Sequence, residues 1–380
     1  DGITEDIITN LSSWRTFPVI SRNSSFTYKG KSVNVKDVAE ELGVRYIVEG
    51  SVRKGGNRIR ITAQLINAEQ DHHLWSEKWD KSLEDIFDVQ DEVSTSIAAQ
   101  VNPTLADYER DRIERSRPVN FSAWETYLKS LHRFNERDPS DHEDNELKEA
   151  RFLCEQAIEL DDSMSHAYSL LSQICVSELL QFTTEDSNRT LNDILLNAKK
   201  ATELDSKNPI AAESIASYYF FSGKFEEAKQ YSMRAVKLNP SYPEAQNRLG
   251  QSYVHSGEYA ESEKHFRKAI ELNPLDTNSI VYKDGLFFAQ MGLGNYELAH
   301  ELIEECILQF PNTGFYRGFR ASVKGYLDKG DEAKAALDDY LKLRPNLKTK
   351  DDYKKIFVPN SSLADILIEG LVKAGWEPES

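Results

Sequence analysis

Between Pro209 and Pro274 the apolar and small residues recur with a period of about 34 residues, and this stretch sets the reading of the whole chain. Leu249, Gly250, Tyr253, Gly257, Tyr259, Phe266, Ala269 and Pro274 are answered one period earlier by Ile215, Ala216, Tyr219, Gly223, Phe225, Ser232, Ala235 and Pro240. Apolar positions three and four apart predict two helices per period, with a glycine in the turn and a proline closing the unit. Small residues fall where two helices must approach; aromatic and aliphatic ones fall where the gap must be filled. Ser262 and Ala228 hold the first small position of the second helix, and Ser232 is the one clear departure.

The first hundred residues carry a different pattern. Ile3, Ile7, Ile8 and Leu11 predict an amphipathic helix over Gly2 to Ser12. Thr16 to Ser21 is a short strand candidate. Asn34 is placed to cap a helix whose apolar face is Val35, Val38, Ala39 and Leu42, and Gly43 ends it. Val44 to Arg53 reads as a strand, Gly55-Gly56-Asn57 as a turn, and Arg58 to Asn67 alternates cleanly. Ile59, Ile61, Ala63 and Leu65 form its buried face, with Arg58, Arg60, Thr62 and Gln64 opposite. His73 to Trp79 continues as a strand with Trp75 and Trp79 on one side. Ser82 and Asp85 start a helix bearing Ile86, Val89, Val93, Ile97 and Val101.

The repeated unit resembles the tetratricopeptide repeat, which pairs Leu-Gly-x-x-Tyr in one helix with Ala-x-x-x-Phe and a closing Pro in the next. The expected fold is an α+β N-terminal domain followed by an all-α tetratricopeptide-repeat superhelix, an α-α solenoid. Residues 1–104 are assigned to the first domain, 105–121 to a charged connecting helix, 122–345 to about six repeats and 346–380 to a C-terminal capping helix. Trp124, Tyr127, Leu128 and Leu131 open the first repeat, and Ala150, Ala157 and Leu160 mark its second helix. Ala167, Leu171 and Ser172 open the second. Extra residues near Asp138 to Asn145 and Thr183 to Arg189 read as lengthened turns, because stacking constrains only the helix pairs. Leu286, Gly294, Tyr296, Ala299 and Pro311 mark the fifth repeat, and Leu343-Arg344-Pro345 ends the sixth. Leu363, Ile366, Leu367, Leu371 and Val372 form the face of the capping helix.

The wording of the first domain runs from Asp1-Gly2-Ile3-Thr4-Glu5-Asp6-Ile7 through Ala39-Glu40-Glu41-Leu42-Gly43-Val44-Arg45-Tyr46 and Glu49-Gly50-Ser51-Val52-Arg53 to Leu74-Trp75 and Asp85-Ile86-Phe87. It is similar to the TolB amino-terminal-like, FlgO-like domain. That resemblance implies a bacterial signalling protein in which such a domain and its repeats follow a class III adenylate or guanylate cyclase domain. It also leaves open a winged-helix transcription regulator or a stand-alone TolB-like envelope protein, so the cytoplasm and the periplasm both remain as compartments. The family begins with an apolar strand before the Asp-Gly-Ile-Thr segment, and here the chain opens on Asp1 without a Met. It therefore reads as a piece of a longer protein.

Composition narrows the partners. The formal net charge of −17 disfavours nucleic acid, whose binding needs a cationic surface to release counterions. Most of the acidic excess lies after Arg117, along the repeats. No apolar run reaches the roughly 18–20 residues of a membrane span. Cys154, Cys175 and Cys306 sit far apart on apolar helical positions, as buried free thiols do.

Motifs for chemistry are nearly lacking. Gly30-Lys31-Ser32 has Ser25 where a phosphate loop needs its first glycine. His72 and His73 are adjacent on a strand, so their rings point to opposite faces. No cofactor is expected, and the chain is read as non-catalytic.

What remains is a surface for a protein or peptide on the concave side, lined by the first helix of each repeat. The resemblance supplies the candidate positions. They are Glu125, Lys129 and Arg133; Ser169, Gln173 and Val176; Glu213, Ser217, Phe220 and Phe221; Asn247, Gln251 and His255; and Asp284, Phe288 and Met291. Glu213 and Asn247 stand where a clamp for a C-terminal carboxylate needs Lys or Arg, which disfavours that partner class.

Overall fold

The computed structural model describes residues 2–12, 19–68, 72–82, 120–136, 145–181, 183–184, 186–274, 280–311 and 313–379, with single positions at 89, 92, 93, 96 and 97. The connecting helix expected over 105–121 falls almost wholly outside these residues, as does most of the turn expected near Asp138.

The described residues of the N-terminal part include the short helices α1 (Gly2–Ser12), α2 (Arg22–Phe26) and α3 (Val35–Leu42) and the strands β1 (Tyr46–Gly55), β2 (Arg58–Asn67) and β3 (His72–Ser82). The strands pair antiparallel in the order β1-β2-β3. Asn34 caps α3 by accepting from Lys36 N at 2.9 Å, and Gly43 ends it at φ 65°. Gly56, at φ 60°, turns β1 into β2.

Alternation along β2 places Ile59, Ile61, Ala63 and Leu65 on one buried face. The register sets Trp79 beside Ile61 and Trp75 beside Leu65, with the two indoles 5.8 Å apart. Leu11 of α1 and the helical positions Val89, Val93 and Ile97 complete this core. The opposite face is polar: Arg58 and Arg60 both grip Asp80, and Gln64 donates to Glu49. β1 is an edge strand with Tyr46, Val48 and Val52 exposed.

Thr16 to Ser21 is not a strand where it is described. Val19 and Ile20 are irregular, and Ser21 caps α2 through its hydroxyl. The reason is tertiary. Ser21 N donates to Leu272 O at 3.0 Å and Val19 N to the Ser241 hydroxyl at 3.2 Å, so these amides are satisfied by the repeats rather than by a sheet.

Among the described residues twelve helices follow as six hairpins: α4 (Phe121–Glu136) with α5 (Asn145–Leu160), α6 (Ser165–Leu180) with α7 (Ser187–Leu204), α8 (Pro209–Phe221) with α9 (Phe225–Leu238), α10 (Pro243–His255) with α11 (Tyr259–Leu272), α12 (Ile280–Leu293) with α13 (Tyr296–Gln309), and α14 (Gly314–Tyr326) with α15 (Asp331–Leu343). The lengthened turn expected over Thr183 to Arg189 is partly helical. Asp186 accepts from Asn188 N and Arg189 N, which starts α7 inside it. From the second hairpin to the fifth, consecutive first helices touch one another and make a continuous inner layer.

Close approach decides the stacking. Phe266 of α11 is fully buried between two glycines from successive hairpins. A Cβ on Gly250 would lie 2.9 Å from its ring and one on Gly285 only 2.1 Å. In the first two hairpins serines serve at the contact: Ser130 donates to Ala150 O and Ser172 to Ile194 O. Ser232, which stands one period before Phe266, is buried with its hydroxyl unpartnered.

Between hairpins Asn208 works twice. Its carbonyl oxygen accepts from Ala211 N at 3.0 Å to cap α8, and its amide donates to the hydroxyls of Ser165 and Ser169 at 2.9 and 2.7 Å.

The C-terminal part holds a single turn, α16 (Lys350–Lys354), and α17 (Leu363–Lys373). Thr349 and Asp352 form a capping box on α16, and Tyr353 is buried against Trp376. α17 lies on α14: Ser322 donates to Leu367 O, Tyr326 to Ile366 O, and Gly325 meets the Gly370 carbonyl with no room for a side chain.

Replacing Gly285 with Leu is expected to destabilise the chain by about 1–3 kcal/mol through overpacking against Phe266. Removing a mid-helix glycine gains up to about 1 kcal/mol of helix propensity, so a net loss shows that the contact dominates. A urea midpoint equal to that of the unsubstituted chain would contradict this packing.

Candidate protein-binding groove

The candidate positions divide between an open end and a covered middle. In the first hairpin Glu125 and Lys129 are exposed and pair with each other at 3.4 Å, and Arg133 pairs with Glu149 at 3.0 Å. These charges face solvent. In the second hairpin the candidates are structural. Ser169 and Val176 are buried, and Gln173 donates to the Tyr242 hydroxyl at 2.8 Å, tying the second hairpin to the start of α10.

The middle hairpins hold a buried polar cluster. Arg248 Nε donates to Glu213 Oε1 at 3.2 Å, and Ser217 donates to the same oxygen at 2.7 Å. Arg248 also donates to Gln251 and lies over the rings of Phe220 and Phe221, 4.9 and 5.3 Å from their centroids. Pairing, hydrogen bonds and aromatic faces together offset much of the cost of burying both charges.

Ser217, Phe220 and Met291 therefore do not line an open trough; each is buried. Asn247 is buried as well, with its carbonyl oxygen unpartnered. Helical spacing assigns these residues to the first helices, but spacing cannot show what else packs there. Phe221 and Phe288 are half-buried.

What covers the middle is a segment of this same chain. Val358-Pro359-Asn360-Ser361 forms a turn in which Ser361 N donates to Val358 O, with Asn360 at φ 64°. Pro in the second position and Asn at positive φ in the third are what a type II turn requires. This hook reaches back along the inner helices. Phe357 packs against Phe288 and Phe319, and Val358 packs against Phe220 and Phe225. Asn360 donates to Gly223 O at 3.3 Å, and the Ser361 hydroxyl meets His255 Nδ1 at 2.7 Å. Ser362 N then donates to His255 O at 3.1 Å before α17 begins. The sequence reading of residues 346–380 as a capping helix did not include this turn.

Two titratable groups on this face are strongly perturbed. Burial, with Arg248 beside it, pushes His255 down to about 3, so its ring accepts or donates as a neutral imidazole. Burial alone pushes Asp284 up to about 7. Part of Asp284 reaches solvent, yet its Oδ1 has no exposed surface and no hydrogen-bond partner. The three cysteines are buried free thiols, and burial pushes Cys154 and Cys175 up to about 12. Among the described residues no cluster of three metal-ligating side chains occurs, and no helix is long and apolar enough to cross a membrane.

The tetratricopeptide repeat family matches residues 243–276 and 212–242, and the chain carries these repeats. "Putative adenylate cyclase 3" of Rhizobium meliloti (strain 1021) is 37% identical over 232 residues, which are 60% of this chain and 38% of that protein. The match thus spans well under half of that relative. A tetratricopeptide repeat protein from Parabacteroides merdae ATCC 43184 is similar over 68% of this chain and 95% of its own, at 20% identity and a TM-score of 0.40. A thermophilic repeat protein of Thermus thermophilus is similar over 53% of this chain and 98% of its own, at 16% identity and a TM-score of 0.40.

Asp284 sets a sign for pH dependence. Its folded pKa lies above the ordinary carboxylate value of 3.8, so the stability present below that value is lost as pH rises through about 7. Asp284→Asn is therefore expected to raise the unfolding midpoint at pH 8 and to leave it nearly unchanged below pH of about 4. A variant less stable than the unsubstituted chain at pH 8 would show that the carboxylate has a partner.

Proposed function

We propose that this chain is a non-catalytic protein-interaction and regulatory segment of a bacterial nucleotidyl-cyclase-type signalling protein. The observation that carries the reading is the 37% identity over 232 residues with "Putative adenylate cyclase 3", joined to a repeat array whose inner helices form one continuous layer. A solenoid of this kind offers an extended surface rather than an enclosed pocket, and such surfaces bind peptides and partner helices. The relative is much longer than the matched stretch, which leaves room for a catalytic domain outside it.

In this reading the partner lies along the first helices of the hairpins. Glu125, Lys129 and Arg133 supply charge at the open end, and Phe221 and Phe288 supply apolar contact further along. The N-terminal sheet domain is the TolB-like module, and it is tied to the array through Ser21 and Val19. A partner that shifts the hairpins would thereby also move the domain on the catalytic side.

The test uses the complete protein in which this chain occurs. Purified, it is expected to convert ATP or GTP to the cyclic nucleotide. Overpacking the array with Gly285→Leu is expected to change that rate by at least about fivefold, the lower end of ordinary coupling between sites. A complete protein that makes no cyclic nucleotide and binds DNA through a winged helix would overturn the cyclase reading. Turnover by the present chain alone would overturn the non-catalytic one.

A further inference from the structure

The hook over the middle hairpins has an unusual construction. It is held at both ends by well-buried elements, Tyr353 under Trp376 on one side and α17 on α14 on the other. Between these anchors it is only partly covered. Pro359 and Asn360 are exposed, Phe357, Val358 and Ser361 are half-buried, and the polar links are one hydrogen bond each to Gly223, Val254 and Tyr259 and two to His255. Beneath it lie aromatic rings from four successive hairpins: Phe220, His255, Phe288 and Phe319. Gly223 is fitted to the hook, since a Cβ there would meet Pro359 O at 2.5 Å.

We propose that the hook is a displaceable internal ligand, and that the partner of these hairpins is a peptide presenting the same turn, an aliphatic residue followed by Pro-Asn-Ser. This deepens the protein-interaction reading above and rests on it. The physical case is one of complementarity. The inner helices meet the hook with an apolar seat for Val358, a carbonyl for the Asn360 amide and a ring nitrogen for the Ser361 hydroxyl. A peptide with those groups in the same turn satisfies the same seat. Because the internal copy is tethered at both ends, it competes at an effective concentration in the millimolar range. An incoming peptide therefore binds only as fast and as far as the hook opens.

The experiment takes the full chain and a fluorescein-labelled synthetic peptide spanning residues 353–363, with a scrambled peptide as control. In the variant Val358→Gly, Pro359→Ser, Asn360→Gly the anchors are kept, and the contacts of Val358 with its apolar seat and of Asn360 with Gly223 are removed. Fluorescence anisotropy is expected to show the peptide binding this variant at least about tenfold more tightly than the unsubstituted chain. Equal affinity for both chains, equal binding of the scrambled peptide, or no binding to the variant would each overturn the proposal. Should the variant not fold, hydrogen exchange on the unsubstituted chain decides. The Ser362 amide is expected to exchange by local opening, well before the Gly250 amide inside α10; exchange of both only on global unfolding would make the hook a fixed part of the core. Loss of the cyclase reading leaves this result untouched, and loss of peptide binding leaves the cyclase assay untouched.

Discussion

The repeat array depends on how closely two helices can pass an aromatic ring. Phe266 occupies a space bounded by Gly250 within its own hairpin and Gly285 in the next. Any side chain at either position would push the hairpins apart. The ring fills the gap that the glycines leave, so contact and clearance are one device. The same logic recurs with Gly318 against Tyr340 and Gly292 against Tyr259. Where the aromatic is absent, at Ser232, a polar atom is buried without a partner. Packing density, more than any polar link, fixes the spacing of the hairpins and hence the curve of their inner layer.

Both ends of the chain converge on the middle of that array, from opposite ends of the helices. The N-terminal segment meets the loops between hairpins: Ser21 and Ser24 both donate to the side-chain oxygen of Asn273, and Ser21 N takes Leu272 O. The C-terminal hook meets the turns within hairpins, at Gly223 and His255. The fourth hairpin is therefore in contact with the sheet domain's tether on one side and with the hook on the other. A change in its packing reaches both. Each hairpin touches its neighbours, and the two tethers share one of them.

Much of this was legible beforehand, and the reason is that local rules were sufficient. The period of about 34 residues placed Gly250, Phe266 and Ala269 in register, Asn34 and Gly43 bounded α3, and alternation gave β2 its buried face. The readings that missed were those decided by distant groups. Val19 and Ile20 have strand-like side chains, but their backbone pairs with nothing in the sheet; Ser21 caps a helix and Val19 reaches Ser241 instead. Phe220 and Met291 sit on the inner helices as their spacing requires. Whether Phe220 is open, however, depends on Val358, more than a hundred residues away, and no periodicity reports that. The candidate groove was legible as a set of helix faces and illegible as an exposed surface.

Nuclear magnetic resonance of the chain would test the central packing claim directly. With Phe266 lodged between the two glycines, the account predicts cross-relaxation from its ring protons to the α protons of both Gly250 and Gly285, and ring-current shifts on both. Contacts to one glycine alone, or α protons of both at their ordinary shifts, would contradict the wedge and with it the stacking of the hairpins.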